Sequence, residues 1–293
     1  MDSALTTVGL PVALAIIMFG LGLGLTPDDF RRIGKHPKAV AVALVCQLVV
    51  LPAVCFGLVL AFDLSPLLGI GMMLLASSPG GTTANLFSHL FRGDVALNIT
   101  LTAINSVISI VTLPLITGLA IAYYDRGDEV SMPFVEIVKV FALILVPVGL
   151  GMLARRRNPG FAGRMDRPVR AGSAVILAVL IVGILLDQKE SVGEYLADVG
   201  IVAALFCAIS LVVGYVVPRA FGVTAAQSIA SSMEIGVHNG TLAIFVAVEV
   251  LDSTEISVPA AVYSLLMFFL AGAWGALISS RAGQPAVART DAT

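Results

Sequence analysis

The 293 residues of this chain are 58% hydrophobic and only 12% charged, with a formal net charge of -2 and a mean hydropathy of +1.00. An ordinary soluble domain carries about 25% charged residues, so composition excludes a soluble enzyme or nucleic-acid-binding module and predicts an all-α polytopic membrane protein. Apolar runs recur along the whole length and no polar stretch approaches the ~50 residues of a separate soluble domain, so residues 1–293 read as one integral-membrane domain.

Taken in order, the predicted spans lie at about 5–25, 37–62, 66–91, 95–122, 132–154, 170–186, 197–218, 223–251 and 257–279. These are nine transmembrane helices, each able to cross ~30 Å of hydrocarbon or nearly so. No basic cluster precedes the first span and Thr26-Pro27-Asp28-Asp29 follow it in place of a cleavage site, so it is read as a true span and not a signal peptide. Fourteen of the seventeen Lys and Arg fall on one side, among them Arg31, Lys35, Lys38, Arg92, Arg155, Arg156, Arg157 and Arg219. The N-terminus is therefore expected outside and the tail at 281–293 in the cytoplasm of a multi-pass cell-membrane protein. Cys46, Cys55 and Cys207 are read as small packing residues. The GLGLGL run from Gly20 follows no strand and reads as small-residue helix packing.

Two spans are broken. In LLASSPGGTTANLFSHLF, Pro79 lacks an amide hydrogen and disfavours helix at Ser78, while Gly80 and Gly81 weaken it further. The eighth span loosens less abruptly, around Gly236 to Gly240. Each break is third in a group of four spans, and the fifth span inverts the second group. Residues 1–122 and 132–279 thus read as two repeats, the first of four spans and the second of five. Interrupted helices at corresponding positions of inverted halves point to a transporter's central site.

Oxygen-bearing side chains gather at these breaks. Glu234 lies inside a long apolar run beside His238 and Asn239, and a carboxylate at that depth costs roughly 2.5 to 3.5 kcal/mol unless something offsets it. Asn85 follows the first break, Gln47 lies in the second span, and Asn98, Thr102, Asn105 and Ser109 make one helical stripe that faces protein or water and not lipid. Such oxygens suit a hard cation such as sodium, and the helices restarting after Gly81 and Gly240 offer amides to an anion. Gln47 and Asn105 are also open to a plainer role as interhelical hydrogen-bond donors. Ser231, Ser232 and His238 flank Glu234 without a nucleophile elbow or paired aspartates, and the tail is too short for a sensor's output domain, so neither hydrolase nor receptor is expected.

These residues resemble the bile acid:sodium symporter family, in its bacterial ASBT-like form. The likeness runs through Met18-Phe19-Gly20, Thr26-Pro27-Asp28-Asp29-Phe30, His36-Pro37-Lys38 and Cys46-Gln47. It is sharpest at Pro79-Gly80-Gly81-Thr82, Ala84-Asn85, Arg92-Gly93-Asp94 and Glu234-Ile235-Gly236-Val237-His238-Asn239. The resemblance implies an inverted-repeat transporter of panel and core, whose broken helices cross near the midplane, performing sodium-coupled symport of an organic anion. That anion would be bile-acid-like or a small hydroxy or keto acid, with sodium/proton antiport or proton-coupled anion transport as alternatives. It implies one sodium site from Asn85, Asn98, Thr102 and Glu234 with the backbone at Ala84, and a second from Gln47, Glu234, the carbonyls of Ile235 and Val237, and His238, so one or two Na+ per cycle. The anion would approach near Thr82 and Asn239. The expected partners are this small molecule and the lipid bilayer, with no nucleic acid, no metal beyond sodium and no obligatory protein partner. Ala84, Asn98 and His238 depart from the commoner family Ser, Ser and Gln, and His238 implies pH sensitivity near neutrality. Nine helices match the animal members, and the extra helix of ten-helix bacterial members would precede Met1.

Overall fold

A computed structural model describes residues 10–31, 34–125, 134–165 and 192–282, with isolated positions between 168 and 182. Every regular element among them is helical: α1 (Leu10–Gly24), α2 (Pro27–Arg31), α3 (Pro37–Ala61), α4 (Pro66–Ser77), α5 (Thr82–Leu90), α6 (Val95–Tyr123), α7 (Phe134–Arg157), α8 (Val192–Ala220), α9 (Ala225–Gly236), α10 (Gly240–Val250) and α11 (Thr254–Ala282). The expected sixth span at 170–186 lies largely outside the described residues, as does the tail beyond 282.

Local chemistry sets the helix starts. Pro37 and Pro66 open α3 and α4 at the first turn, where a missing amide hydrogen costs nothing. Asp94 caps α6 by accepting from the Leu97 amide at 3.0 Å, and Thr224 caps α9 through the Gln227 amide at 3.3 Å. Among the described residues, α3, α6, Val199–Ala220 of α8 and Thr254–Ser280 of α11 are long and apolar enough to cross a membrane. Leu14–Gly24, Pro66–Ser77 and Gly240–Val250 are shorter apolar helices.

Two faces of α6 show how the chain separates lipid from protein. Asn98, Thr102, Asn105 and Ser109 are all buried, as their spacing predicts. Val107, Val111, Leu115 and Leu119, at every fourth position on the other side, are exposed. An exposed apolar stripe backed by a buried polar one is the reverse of a soluble amphipathic helix and fits a lipid surround.

The two breaks meet. Helix stops at Ser77 and resumes at Thr82, and it stops again at Gly236 and resumes at Gly240. Gly81 donates its amide to the Val237 carbonyl at 2.7 Å and Asn239 donates to the Pro79 carbonyl at 2.8 Å, an antiparallel pairing of Gly80 with His238. Each segment thus satisfies backbone groups that the other's helix has released, as a non-aqueous interior requires. The second break is as abrupt as the first, contrary to the looser kink read from Gly236 to Gly240. The facing backbone, absent from any local pattern, takes the amide and carbonyl that would otherwise continue the helix.

Two π turns flank this crossing. Over Cys46–Val50 the Leu51 amide reaches back five residues to Cys46, just before Pro52, and over Val246–Val250 the Leu251 amide does the same to Val246. Elsewhere, α1 packs chiefly on α7. Gly22 and Gly151 let the two backbones touch, since a Cβ on either would overlap the facing chain. Arg155 then closes the end of α1 by donating to the Leu23 carbonyl at 2.8 Å. The glycine run is therefore a packing seam.

Candidate functional site

Glu234 sits on the last turn of α9, two residues before the break, and is wholly buried at 0% exposure. Thr102 donates its hydroxyl to one carboxylate oxygen at 2.5 Å, and Asn105 donates its amide nitrogen to the other at 3.2 Å. Gly80 of the first break lies against the same carboxylate so closely that a Cβ there would overlap it. A glycine is needed at this position for backbone approach.

The amides around Glu234 are oriented by these bonds. Asn98 donates its nitrogen to the Ala230 carbonyl at 2.7 Å, one turn before Glu234 on α9. With the nitrogens of Asn98 and Asn105 so engaged, their Oδ1 atoms are buried without a hydrogen-bond partner, and so is Oδ1 of Asn85 on α5. Helices α5, α6 and α9 pack on one another, which gathers these oxygens on one side of the crossing. Lone pairs on this side outnumber hydrogens, and the salt bridge found among the described residues joins Arg31 to Asp28, away from Glu234. Ala84 is buried beside Asn85, its amide bonded to the Gly81 carbonyl at 3.0 Å.

The other side is built differently. Gln47, at the π turn of α3, donates its nitrogen to the Ser78 carbonyl at 3.1 Å, and the same nitrogen lies 3.5 Å from His238 Nε2. His238 Nδ1 lies 3.0 Å from the Tyr263 hydroxyl, which donates to the Gly236 carbonyl at 2.9 Å. The Phe206 and Tyr263 rings enclose the imidazole, with centroids 5.6 and 5.3 Å from it. The Val237 carbonyl is taken by Gly81, while the Ile235 carbonyl loses its helical donor because the Asn239 amide turns to Pro79.

The residues expected to bind an anion stand at the two restarts. Thr82 opens α5 and is half-buried. Asn239 caps α10, its side-chain oxygen accepting from the Leu242 amide at 3.1 Å. All the expected site residues therefore lie at or beside one crossing. Tyr263 was invisible as a site residue, because a tyrosine in an apolar span reads as core, and its hydroxyl was the signal that it needs a polar partner. Asn105 stood in the polar stripe, but its hold on Glu234 depends on what α9 presents across from it.

The signature of the Sodium Bile acid symporter family matches residues 11–195. Over 275 residues the chain is 28% identical to a probable sodium/metabolite cotransporter of Arabidopsis thaliana chloroplasts, covering 90% of this chain and 66% of the relative. It is 23% identical over 254 residues to an uncharacterized sodium-dependent transporter of Bacillus subtilis, covering 87% of this chain and 78% of the relative. Over 234 residues it is 24% identical to the human ileal sodium/bile acid cotransporter, covering 80% and 67%. The chain spans about two-thirds of the length of the plant relatives it matches.

Proposed function

This chain belongs to the sodium bile acid symporter family, and on that premise we propose that it is a sodium-coupled symporter carrying an organic anion across a membrane. The observation that carries the reading is Glu234, a fully buried carboxylate beside buried amide oxygens that have no donor. A buried charge without a counter-charge is strongly unfavourable, and acceptor oxygens in excess of donors cannot correct it among themselves. A small hard cation corrects both faults at once.

In this reading sodium binds at Glu234 with Asn85, Asn98 and Thr102 and the backbone near Ala84, with Asn105 holding the second carboxylate oxygen from the same face of α6. α1 and α7 pack chiefly on each other and meet α10 more lightly, which supports a layout in which one body moves against another while the site stays whole. The cargo is an organic anion, bile-acid-like or a small hydroxy or keto acid, received near Thr82 and Asn239. The N-terminus lies outside and the C-terminus in the cytoplasm.

The test is thermal unfolding of the detergent-purified protein in sodium against potassium at equal ionic strength, with Glu234→Ala beside it. A ligand bound only by the folded state adds about 2.7 kcal/mol of stability at a hundredfold excess over its Kd. Sodium-specific stabilisation that vanishes in Glu234→Ala is expected, with a further rise when an accepted organic acid is added. Equal melting in the two salts would end the proposal.

A further inference from the structure

We infer that the crossing takes up a single cation, on its α6 side, and that the corner formed by Gln47, His238 and Tyr263 is closed to a second. This rests on the sodium-coupled reading above and concerns how many ions that reading involves.

The hydrogen positions in the closed corner follow from its chemistry. Gly236 presents a carbonyl, which can only accept, so Tyr263 must give it the hydroxyl hydrogen over 2.9 Å. The tyrosine oxygen is then left to accept, and His238 Nδ1, 3.0 Å away, must carry a hydrogen to donate. In the neutral imidazole this leaves the lone pair on Nε2. Gln47 faces that lone pair with its amide nitrogen at 3.5 Å and donates from the same nitrogen to Ser78 at 3.1 Å. Gln47 therefore turns hydrogens, and not its oxygen, toward His238.

The backbone gives the corner little more. The Gly236 carbonyl receives Tyr263, the Val237 carbonyl receives Gly81, and the imidazole lone pair faces Gln47, which leaves the Ile235 carbonyl as the backbone acceptor whose helical donor has turned away. Gln47 Oε1 is buried without a partner, so with the Ile235 carbonyl the corner offers two unclaimed oxygens. Hard cations such as calcium and magnesium collect about six or more oxygens, and sodium is likewise an oxygen-seeking ion. On the α6 side, by contrast, two carboxylate oxygens of Glu234 stand with the free Oδ1 atoms of Asn85, Asn98 and Asn105. The crossing is thus rich in donor-free side-chain oxygens on one side, while on the other hydrogen bonds leave only Gln47 Oε1 and the Ile235 carbonyl unclaimed among the groups named, too few for a second ion. A monoanion carried with one sodium moves no net charge, so its uptake follows the sodium gradient and not the membrane potential.

The experiment counts ions by linkage, using the full chain in mixed micelles and sodium chloride alone as the ligand, with potassium holding ionic strength constant. Unfolding is followed through Trp274, the chain's one tryptophan, whose indole donates to Ser232 near Glu234 on α9. Well above Kd, one bound ion raises the folded-to-unfolded ratio about tenfold for each tenfold rise in free sodium, and two raise it about hundredfold. A tenfold slope is expected. A hundredfold slope would overturn the inference while leaving sodium coupling intact, whereas a flat response would remove the sodium-coupled reading and this inference with it. His238→Gln replaces the ring with an amide able to turn its oxygen inward, and its slope is expected to climb toward hundredfold. A folded His238→Gln protein that keeps the tenfold slope would show that His238 does not close the corner. If that variant does not fold, the wild-type slope alone decides.

Discussion

Thr102 lies on the polar stripe of α6, and its hydroxyl meets the Glu234 carboxylate at 2.5 Å. Hydrogen bonds to charged groups contribute about 1.5 to 3 kcal/mol, so losing one is a large local change. Thr102→Val keeps the shape, removes the hydroxyl, and is expected to raise the sodium concentration for half-maximal stabilisation roughly tenfold or more. Val111→Thr, on the exposed face of the same helix, is the control and should leave that midpoint unchanged. At this scale the acidic centre was legible, because a lone Glu in an apolar run admits few explanations. The hydrogen bonding of His238 was not, because its tautomer depends on Tyr263, twenty-five positions away.

Among the elements, the restart of α10 is held by contact with α11. A Cβ on Gly240 would overlap the Ser264 hydroxyl oxygen but stay 3.3 Å from the Ser264 Cβ. Gly240→Ala should gain a little in helix propensity yet lose more to overpacking, for a net destabilisation of about 1 to 3 kcal/mol. Ser264→Ala removes the obstructing atom, so the double variant should recover part of that loss, with a coupling of about 0.5 to 3 kcal/mol in denaturation midpoints. Additive losses would mean that the two helices do not meet there. The first break was readable from Pro79-Gly80-Gly81, since those residues defeat a helix by themselves. The π turns at Cys46–Val50 and Val246–Val250 were not, because a shift from four-residue to five-residue hydrogen bonding answers to packing and leaves almost no local mark.

For the molecule as a whole, orientation can be tested without disturbing the site. Cys46, Cys55 and Cys207 are free and buried, so a membrane-impermeant maleimide has little native thiol to find. Lys35 and Ser65 are exposed on loops expected on opposite faces. In intact cells Ser65→Cys should label and Lys35→Cys should label only after permeabilisation, while the reverse pattern would invert the assigned topology. Hydropathy is a property that any stretch shows for itself, which is why the four long apolar helices among the described residues could be read directly. Contact between the halves could not, since Thr102 and Glu234 stand 132 positions apart. That separation has a consequence for biosynthesis. At about 5 to 20 residues per second, a ribosome needs roughly 7 to 26 seconds to pass from one to the other. Asn98, Thr102 and Asn105 thus leave the ribosome and enter the bilayer before Glu234 has been made. The nascent first half is therefore an incomplete product with polar groups facing the wrong surroundings, and a chain arrested before residue 234 should be a natural target for membrane quality control.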